Sequence, residues 1–164
     1  MAWSTPRTWV AGEIVTAANL NTYVSDNLTY IKDRLDGTAK QYIRTATNYT
    51  TTSTSLVDVD GTNLALTFTT DGGDVMVTFA GYISNGNNVD TTIGVDVDST
   101  DYEIIVDQTN NGADKANVSF VYIFTGLSAA SHTFKLRWKT SSGTATLVAG
   151  TTLFDVRETI GLIA

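Results

Sequence analysis

The sequence predicts a mainly β protein, an antiparallel β-sandwich of the jelly-roll kind preceded by an N-terminal extended arm and one α-helix. Three observations predict it. From Lys40 onward apolar residues tend to alternate with polar ones, and turn chemistry such as Asp60-Gly61, Asp71-Gly72-Gly73 and Asn85-Gly86 breaks the runs. Thr supplies 29 of the 164 residues, and its β-branched, half-polar side chain suits the half-exposed face of a strand. The one strong helical period lies near the N-terminus. A small closed barrel is the alternative arrangement of the same strands.

Two parts follow from this, residues 1–37 and residues 38–164. In the first, Trp3, Trp9, Val10, Ile14 and Val15 lie in a stretch with Pro6 and Gly12 but no clean period, which reads as an extended arm. Thr16 is a good N-cap for a helix starting at Ala17, with Val15 and Leu20 at the positions of a hydrophobic staple. Leu20, Val24, Leu28, Ile31 and Leu35 then form one apolar face, and Asp36-Gly37 is a natural stop. That face either covers an open end of the β-domain or packs against copies of itself. A heptad register drawn from Leu20 puts Asn27 and Arg34 on the seam, where polar residues can fix register. The Trp-rich arm has little of its own to bury against, so Trp3 and Trp9 are expected to dock on a partner.

In the second part the expected strands run through Tyr42–Thr47, Ser55–Val59, Leu64–Phe68, Val75–Gly81, Thr92–Val97, Tyr102–Asp107, Val118–Phe124, Thr133–Thr140, Thr144–Val148 and Leu153–Glu158. Val118–Phe124 is apolar except for Ser119, the mark of a strand covered on both faces.

Composition excludes several functions. Ten basic against 17 acidic residues leave a net charge of -7, which argues against nucleic-acid or anionic-membrane binding. With no Cys there is no disulfide framework, thiol nucleophile or cysteine metal site. One His, His132, cannot build a multi-histidine metal site within one chain. No apolar run approaches the roughly 20 residues that span a bilayer. The first residues lack the order of a signal peptide, so the chain is expected to be made without its own export tag.

The strongest chemical cluster is acidic: Asp96, Asp98, Asp101, Glu103 and Asp107. Calcium takes several oxygen ligands from such a loop, but the spacing is not that of an EF-hand. The competing reading is a solvated turn and the wet face of a strand. Glu158 has an apolar context, with Arg157 expected to pair elsewhere. No catalytic or metal residue and no cofactor is assigned. His132 reads as a turn-adjacent side chain bonded to backbone. Tyr82, Tyr102 and Trp138 (with Tyr122) are candidate glycan contacts if exposed, and otherwise core or subunit interface.

Trp9-Val-Ala-Gly-Glu-Ile-Val-Thr-Ala-Ala-Asn-Leu-Asn-Thr-Tyr-Val-Ser-Asp-Asn-Leu28 resembles the N-terminal segment of structural proteins of tailed bacteriophages. There a Trp-x-x-Gly-Glu element leads into an Asn-Leu-Asn helix ending in Asp-Asn-Leu. Here the element is Trp9, Gly12 and Glu13, and the helix carries Asn19, Leu20, Asn21, Asp26, Asn27 and Leu28. The stretch from Gly126 to Lys139 is similar to a segment of phage tail-fibre and head-fibre β-domains. It also resembles the Leu-x-x-Gly-x-His loop of some carbohydrate-binding sandwiches, although Ala130 stands where that loop usually has Gly.

The resemblance implies a non-enzymatic virion component, a homotrimer with the β-domain displayed outward as a tail-fibre protein. Trp3, Trp9, Gly12 and Glu13 would anchor it to other virion proteins, and Leu20, Val24, Leu28, Ile31 and Leu35 would form the oligomer interface. Its further partner would be a host-surface glycan or receptor, with no nucleic acid and no membrane insertion. Such a protein is assembled in the host cytoplasm and exposed on the particle. A capsid decoration or head-fibre protein and a stand-alone carbohydrate-binding module are the alternatives.

Overall fold

The computed structural model describes residues 4–29, 31, 39–44, 47–86, 88–109 and 116–159. The chain divides into two compact units, Met1–Thr38 and Ala39–Ala164. Trp3, Leu35 and the Asp36-Gly37 stop lie outside the described residues.

In the first unit, helix α1 (Ala17–Leu20) starts as its cap predicts. Thr16 has extended φ/ψ, and its hydroxyl accepts the Asn19 amide at 3.2 Å. The helix then departs from a uniform α period: Asn21–Ser25 form a π turn before the α form resumes. A π turn holds more residues than an α turn, so a heptad register drawn from Leu20 does not carry through it.

The second unit contains strands β1 (Ala39–Arg44), β2 (Tyr49–Thr51), β3 (Val57–Asp58), β4 (Ala65–Thr69), β5 (Gly73–Ser84), β6 (Val89–Val97), β7 (Thr100–Thr109), β8 (Ala116–Leu127), β9 (Ser131–Thr140), β10 (Ala145–Leu147) and β11 (Thr152–Glu158). All their pairings are antiparallel. One sheet runs β1-β11-β5-β8, with β10 and β2 continuing beside the far end of β5. The other runs β4-β9-β6-β7, with β3 next to β4 along β9. Taking the eight strands of those two orders in chain sequence, the first, eighth, third and sixth form one sheet and the second, seventh, fourth and fifth form the other. That is the jelly-roll order, and the fold is a sandwich of two sheets, not one closed barrel.

Period-two alternation places the core. On β5, Val75, Val77, Phe79 and Ile83 are buried, and on β9 Phe134, Leu136 and Trp138 are buried. Each such side chain contributes about 1.5–3 kcal/mol by leaving water. The rings of Phe68 and Phe134 stack at 5.8 Å and those of Phe79 and Phe120 lie 5.5 Å apart. β6 and β7 are joined by Asp98 and Ser99, both at positive φ (50° and 75°). This is the type I′ geometry that matches strand twist.

β2 was not expected: Tyr49-Thr-Thr51 has no apolar alternation and gains its place by pairing with β10. The expectation for β8 is corrected. Val118, Phe120 and Phe124 enter the core, but Val121 and Ile123 point to the other side and are exposed. Among the described residues β8 pairs with β5 alone, which makes it an edge strand of its sheet.

Candidate interaction surfaces

The residues of the Trp-x-x-Gly-Glu element build a folded clip. Glu13 N donates to the Val10 carbonyl at 3.0 Å, closing a turn in which Gly12 has φ +86°. That is the third position of a type II turn, where Gly is the residue without strain. The Glu13 carboxylate accepts from the Val10 amide at 3.3 Å and pairs with Arg7. The Arg7 guanidinium lies over the Trp9 ring at 4.7 Å, and Trp9 meets Tyr23 edge-on at 6.3 Å. Asn27 closes the clip. Its side-chain amide both accepts from Ser4 N and donates to Ser4 O, each at 2.9 Å, and it also reaches the Tyr23 carbonyl.

Two expectations are therefore corrected. The arm is not free of its helix but folded back on it, with Trp9 meeting Tyr23 while staying 39% exposed. Asn27, expected on an exposed seam, is buried under the arm. Several apolar side chains also stay exposed: Trp9, Val10, Ile14 and Val15 on the arm, and Leu20, Val24, Leu28 and Ile31 on the helix. Leu20, Val24 and Leu28 line one shallow groove with Asn21, Ser25 and Thr29.

The outer faces of the two sheets differ in chemistry. On β9, Lys135, Arg137 and Lys139 point outward and meet acids across the sheet. Lys135 Nζ lies 3.9 Å from Asp96, Arg137 Nη1 2.5 Å from Asp58, Arg137 Nε 3.2 Å from Asp101, and Lys139 Nζ 2.5 Å from Glu103. The acidic cluster is thus a ladder of cross-strand ion pairs. Asp96, expected on a wet face, is only 4% exposed and also accepts the Ser99 amide. The side chain of Asp107 lies outside the described residues. Among the described residues no group of three or more His, Asp or Glu side chains could hold a metal ion.

The outer face of the β1-β11-β5-β8 sheet carries little charge. Ile43 pairs with Leu153, which pairs with Ala80; Thr78 pairs with Val121 and Met76 with Ile123. These residues, with Tyr82, share one side by strand alternation. Amid them Asp155 is buried and held by Arg157, whose Nε donates to Oδ2 at 2.7 Å, so Arg157 pairs away from Glu158 as the sequence implied. Among the described residues the other Asp155 oxygen, Oδ1, has no hydrogen-bond partner.

His132 is buried at one end of the sandwich. Its Nδ1 is 2.6 Å from Asp98 Oδ2 and its Nε2 is 3.0 Å from the Ser128 carbonyl. The backbone bond is the one the sequence led us to expect. Both nitrogens face acceptors, and the hydrogen bonds they donate to Asp98 and to the Ser128 carbonyl raise the imidazole pKa above its ordinary value against the cost of burial. Ser128 Oγ lies 3.5 Å from Nε2, but Nε2 is committed to the carbonyl, so the trio is not arranged to activate a nucleophile.

The candidate glycan contacts separate. Tyr82 and Tyr102 are exposed, whereas Trp138 is 2% exposed and lies in the core, which corrects its reading as a surface contact. Tyr102 and Tyr122 flank Phe124 at 5.0 and 4.8 Å, forming an aromatic seam. No helix among the described residues is long and apolar enough to cross a membrane.

No protein-family model matches the sequence, and no curated protein matches it. Among solved structures, a structure of the infectious bursal disease virus Gt strain is similar over 75% of this chain and 33% of that chain, at 9% identity and a TM-score of 0.45. A VP2 subviral particle of the same virus is similar over 76% and 38%, at 7% identity and a TM-score of 0.39. Dimeric latent PorU from Porphyromonas gingivalis is similar over 75% and 13%, at 12% identity and a TM-score of 0.39. The chain spans well under half the length of each. With likenesses this distant, the jelly roll is assigned on the strand order itself.

Proposed function

We propose that the chain is a non-enzymatic structural component of a tailed-phage virion, a homotrimer held to other virion proteins by residues 1–37 with the β-sandwich displayed outward. The observation that carries this reading is the clip. Trp9, Gly12, Glu13 and Asn27, the residues of the phage-like segment, are spent on folding a short arm against a helix, while Val10, Ile14, Leu20, Val24 and Leu28 stay exposed. A unit of this size that leaves this many aliphatic side chains in water is built to be covered by something else. Its place on the particle would be that of a tail-fibre protein, with a capsid decoration or head-fibre protein as the alternative, and contact with a host-surface glycan or receptor would fall to the β-sandwich.

The test is incorporation. Deleting residues 1–15 removes the turn, the Arg7–Trp9 stack and the Ser4–Asn27 pair. The truncated chain is expected to keep a folded β-sandwich and to be absent from purified particles. Normal incorporation would overturn the reading. The carbohydrate-binding module is favoured by one observation, the Tyr102–Tyr122–Phe124 seam. Glycan-array binding by the full chain, lost in Tyr102→Ala and without particle association, would put that reading in its place.

A further inference from the structure

On the outer face of the β4-β9-β6-β7 sheet, at the Lys139 end of the ion-pair ladder, lies a depression of about 430 Å³ lined by Thr54, Asp90, Thr92, Val106, Lys139 and Ser141. We propose that it is a binding site for a neutral, hydroxyl-rich ligand, a sugar residue of a glycan. This rests on the reading that the β-sandwich meets a host-surface glycan, and it names the site on that domain.

The register builds it. Thr92 on β6 lies between Lys139 on β9 and Val106 on β7, so the three side chains share one face. Beside them Asp90 N donates to Ser141 Oγ at 2.9 Å and Ser141 N donates to the Asp90 carbonyl at 2.8 Å, which ties the start of β6 to the end of β9. Thr54 comes from the loop between β2 and β3. That loop is held by the Thr140 amide, which donates to the Ser53 carbonyl at 2.8 Å, and by Ser53 Oγ, which donates to the Ser55 carbonyl at 2.6 Å. Thr140 also lines the depression, but its hydroxyl is already engaged: it donates to the Ser142 carbonyl and accepts from Asn85. The walls are therefore set before a ligand arrives, which lowers the cost of binding.

Thr92 is the residue that points to a ligand. It is only 6% exposed, yet among the described residues its hydroxyl takes part in no hydrogen bond. A buried hydroxyl normally has a partner, and here the partner has to enter through the depression. The charges then narrow the ligand. Lys139 Nζ bonds Glu103 at 2.5 Å, and an ammonium keeps two further donors. Asp90 adds a carboxylate to the lining. An anion would meet that carboxylate, Glu103 and a net charge of -7. A cation would meet Lys139. An apolar ligand would strand the Thr92 hydroxyl and the ammonium. A neutral polyol meets none of these penalties. Its hydroxyls both donate and accept, and Val106, 58% exposed, offers methyl groups to the apolar face of a sugar ring. The volume lies within the roughly 300–1,000 Å³ of small-ligand pockets.

A glycan array probed with the full chain tests this, with Thr92→Val and Val106→Asp beside the wild type. Val has the shape of Thr, and with no bond to lose at this position Thr92→Val should melt as the wild type does. Val106 is exposed, so Asp can be carried there by a folded chain, which its melting curve will check. The wild type is expected to bind array glycans, Thr92→Val to bind the same glycans about tenfold more weakly, and Val106→Asp to lose them. Wild-type binding that Thr92→Val keeps in full overturns the site, and a loss in Tyr102→Ala alone would move the sugar to the aromatic seam. A wild type that binds no glycan overturns both the site and the glycan reading, while incorporation into particles decides the virion reading separately.

Discussion

His132 Nδ1 lies 2.6 Å from Asp98 Oδ2 across the end of the sandwich, joining the β6–β7 turn to the start of β9. The same carboxylate accepts the Thr133 amide through Oδ1 at 2.9 Å, and the Asp98 amide donates back to the Thr133 carbonyl. One aspartate thus ties the β6–β7 turn to the start of β9 through three bonds.

The pair makes stability depend on pH. The pKa of His132 is raised above 6.5 in the folded state, so its contribution is full below pH 6.5 and is lost as pH rises through the folded value. Burial pushes Asp98 up, but the hydrogen bonds from His132 and Thr133 and the imidazolium charge outweigh it, leaving its pKa below 3.8. Its contribution is full above pH 3.8 and is lost as pH falls through the lower folded value. The pair should therefore contribute most between those two ordinary values. Melting temperature is expected to fall from about pH 6 to about pH 9 in the wild type and to change less in Asp98→Asn. Asn tolerates the positive φ at this position. Equal slopes in the two proteins would show that the pair is not coupled to stability.

Gly94 marks a close approach of two backbones. A Cβ there would lie 2.2 Å from the Tyr102 carbonyl oxygen, where the β6–β7 register shifts between Ile93 and Gly94. Backbone cannot step aside as a side-chain tip can, so Gly94→Ala should cost about 1–3 kcal/mol. Urea denaturation should show a lower midpoint at unchanged slope. An unchanged midpoint would mean that the bulge relaxes freely.

Gly12 presents the opposite case: nothing lies near its Cβ position, and only its φ of +86° resists substitution. Gly12→Ala should cost the clip about 1 kcal/mol. Asn27→Ala removes the paired bonds to Ser4 and should release the arm more fully. Limited proteolysis is expected to cleave residues 4–15 faster in both variants, with Asn27→Ala the more sensitive. Identical cleavage in the wild type and both variants would show that the clip is not held by these residues.

The sandwich was largely legible in the sequence because alternation and turn residues act locally. Val75, Val77 and Phe79 on β5 and Phe134 and Leu136 on β9 follow directly from period two. The N-cap at Thr16 was equally local. Three features were not legible, each because it depends on a residue far away in sequence. Asn27 meets Ser4, 23 positions earlier, and no spacing rule shows that. The acidic residues looked solvated because their partners Lys135, Arg137 and Lys139 come from a strand more than thirty residues on in the chain. Trp138 could be read as surface or core until the register showed which side of β9 faces inward. The exposed side of β8 was misread for a related reason: an apolar run gives the kinds of side chain on a strand, and which of its faces meets the core depends on strands distant in sequence.

The ion-pair ladder gives the last prediction. Asp96, Asp98, Asp101 and Glu103 each have a cationic partner, Lys135, His132, Arg137 and Lys139 in turn. A divalent cation binds carboxylates whose charge is not already compensated, and here it would have to displace those partners. Melting temperature in excess EDTA is therefore expected to match that in calcium. A fall of more than about 10 °C in EDTA would mean several kcal/mol from a bound ion and would overturn the ladder as the explanation of this cluster. Lys139→Glu supplies the complementary measurement. It sets two carboxylates against each other at Glu103, a half-exposed pair in high dielectric, so the loss should be about 1 kcal/mol or less and should shrink as salt is added. A loss several times larger, insensitive to salt, would mean that the pair acts through packing and not through charge.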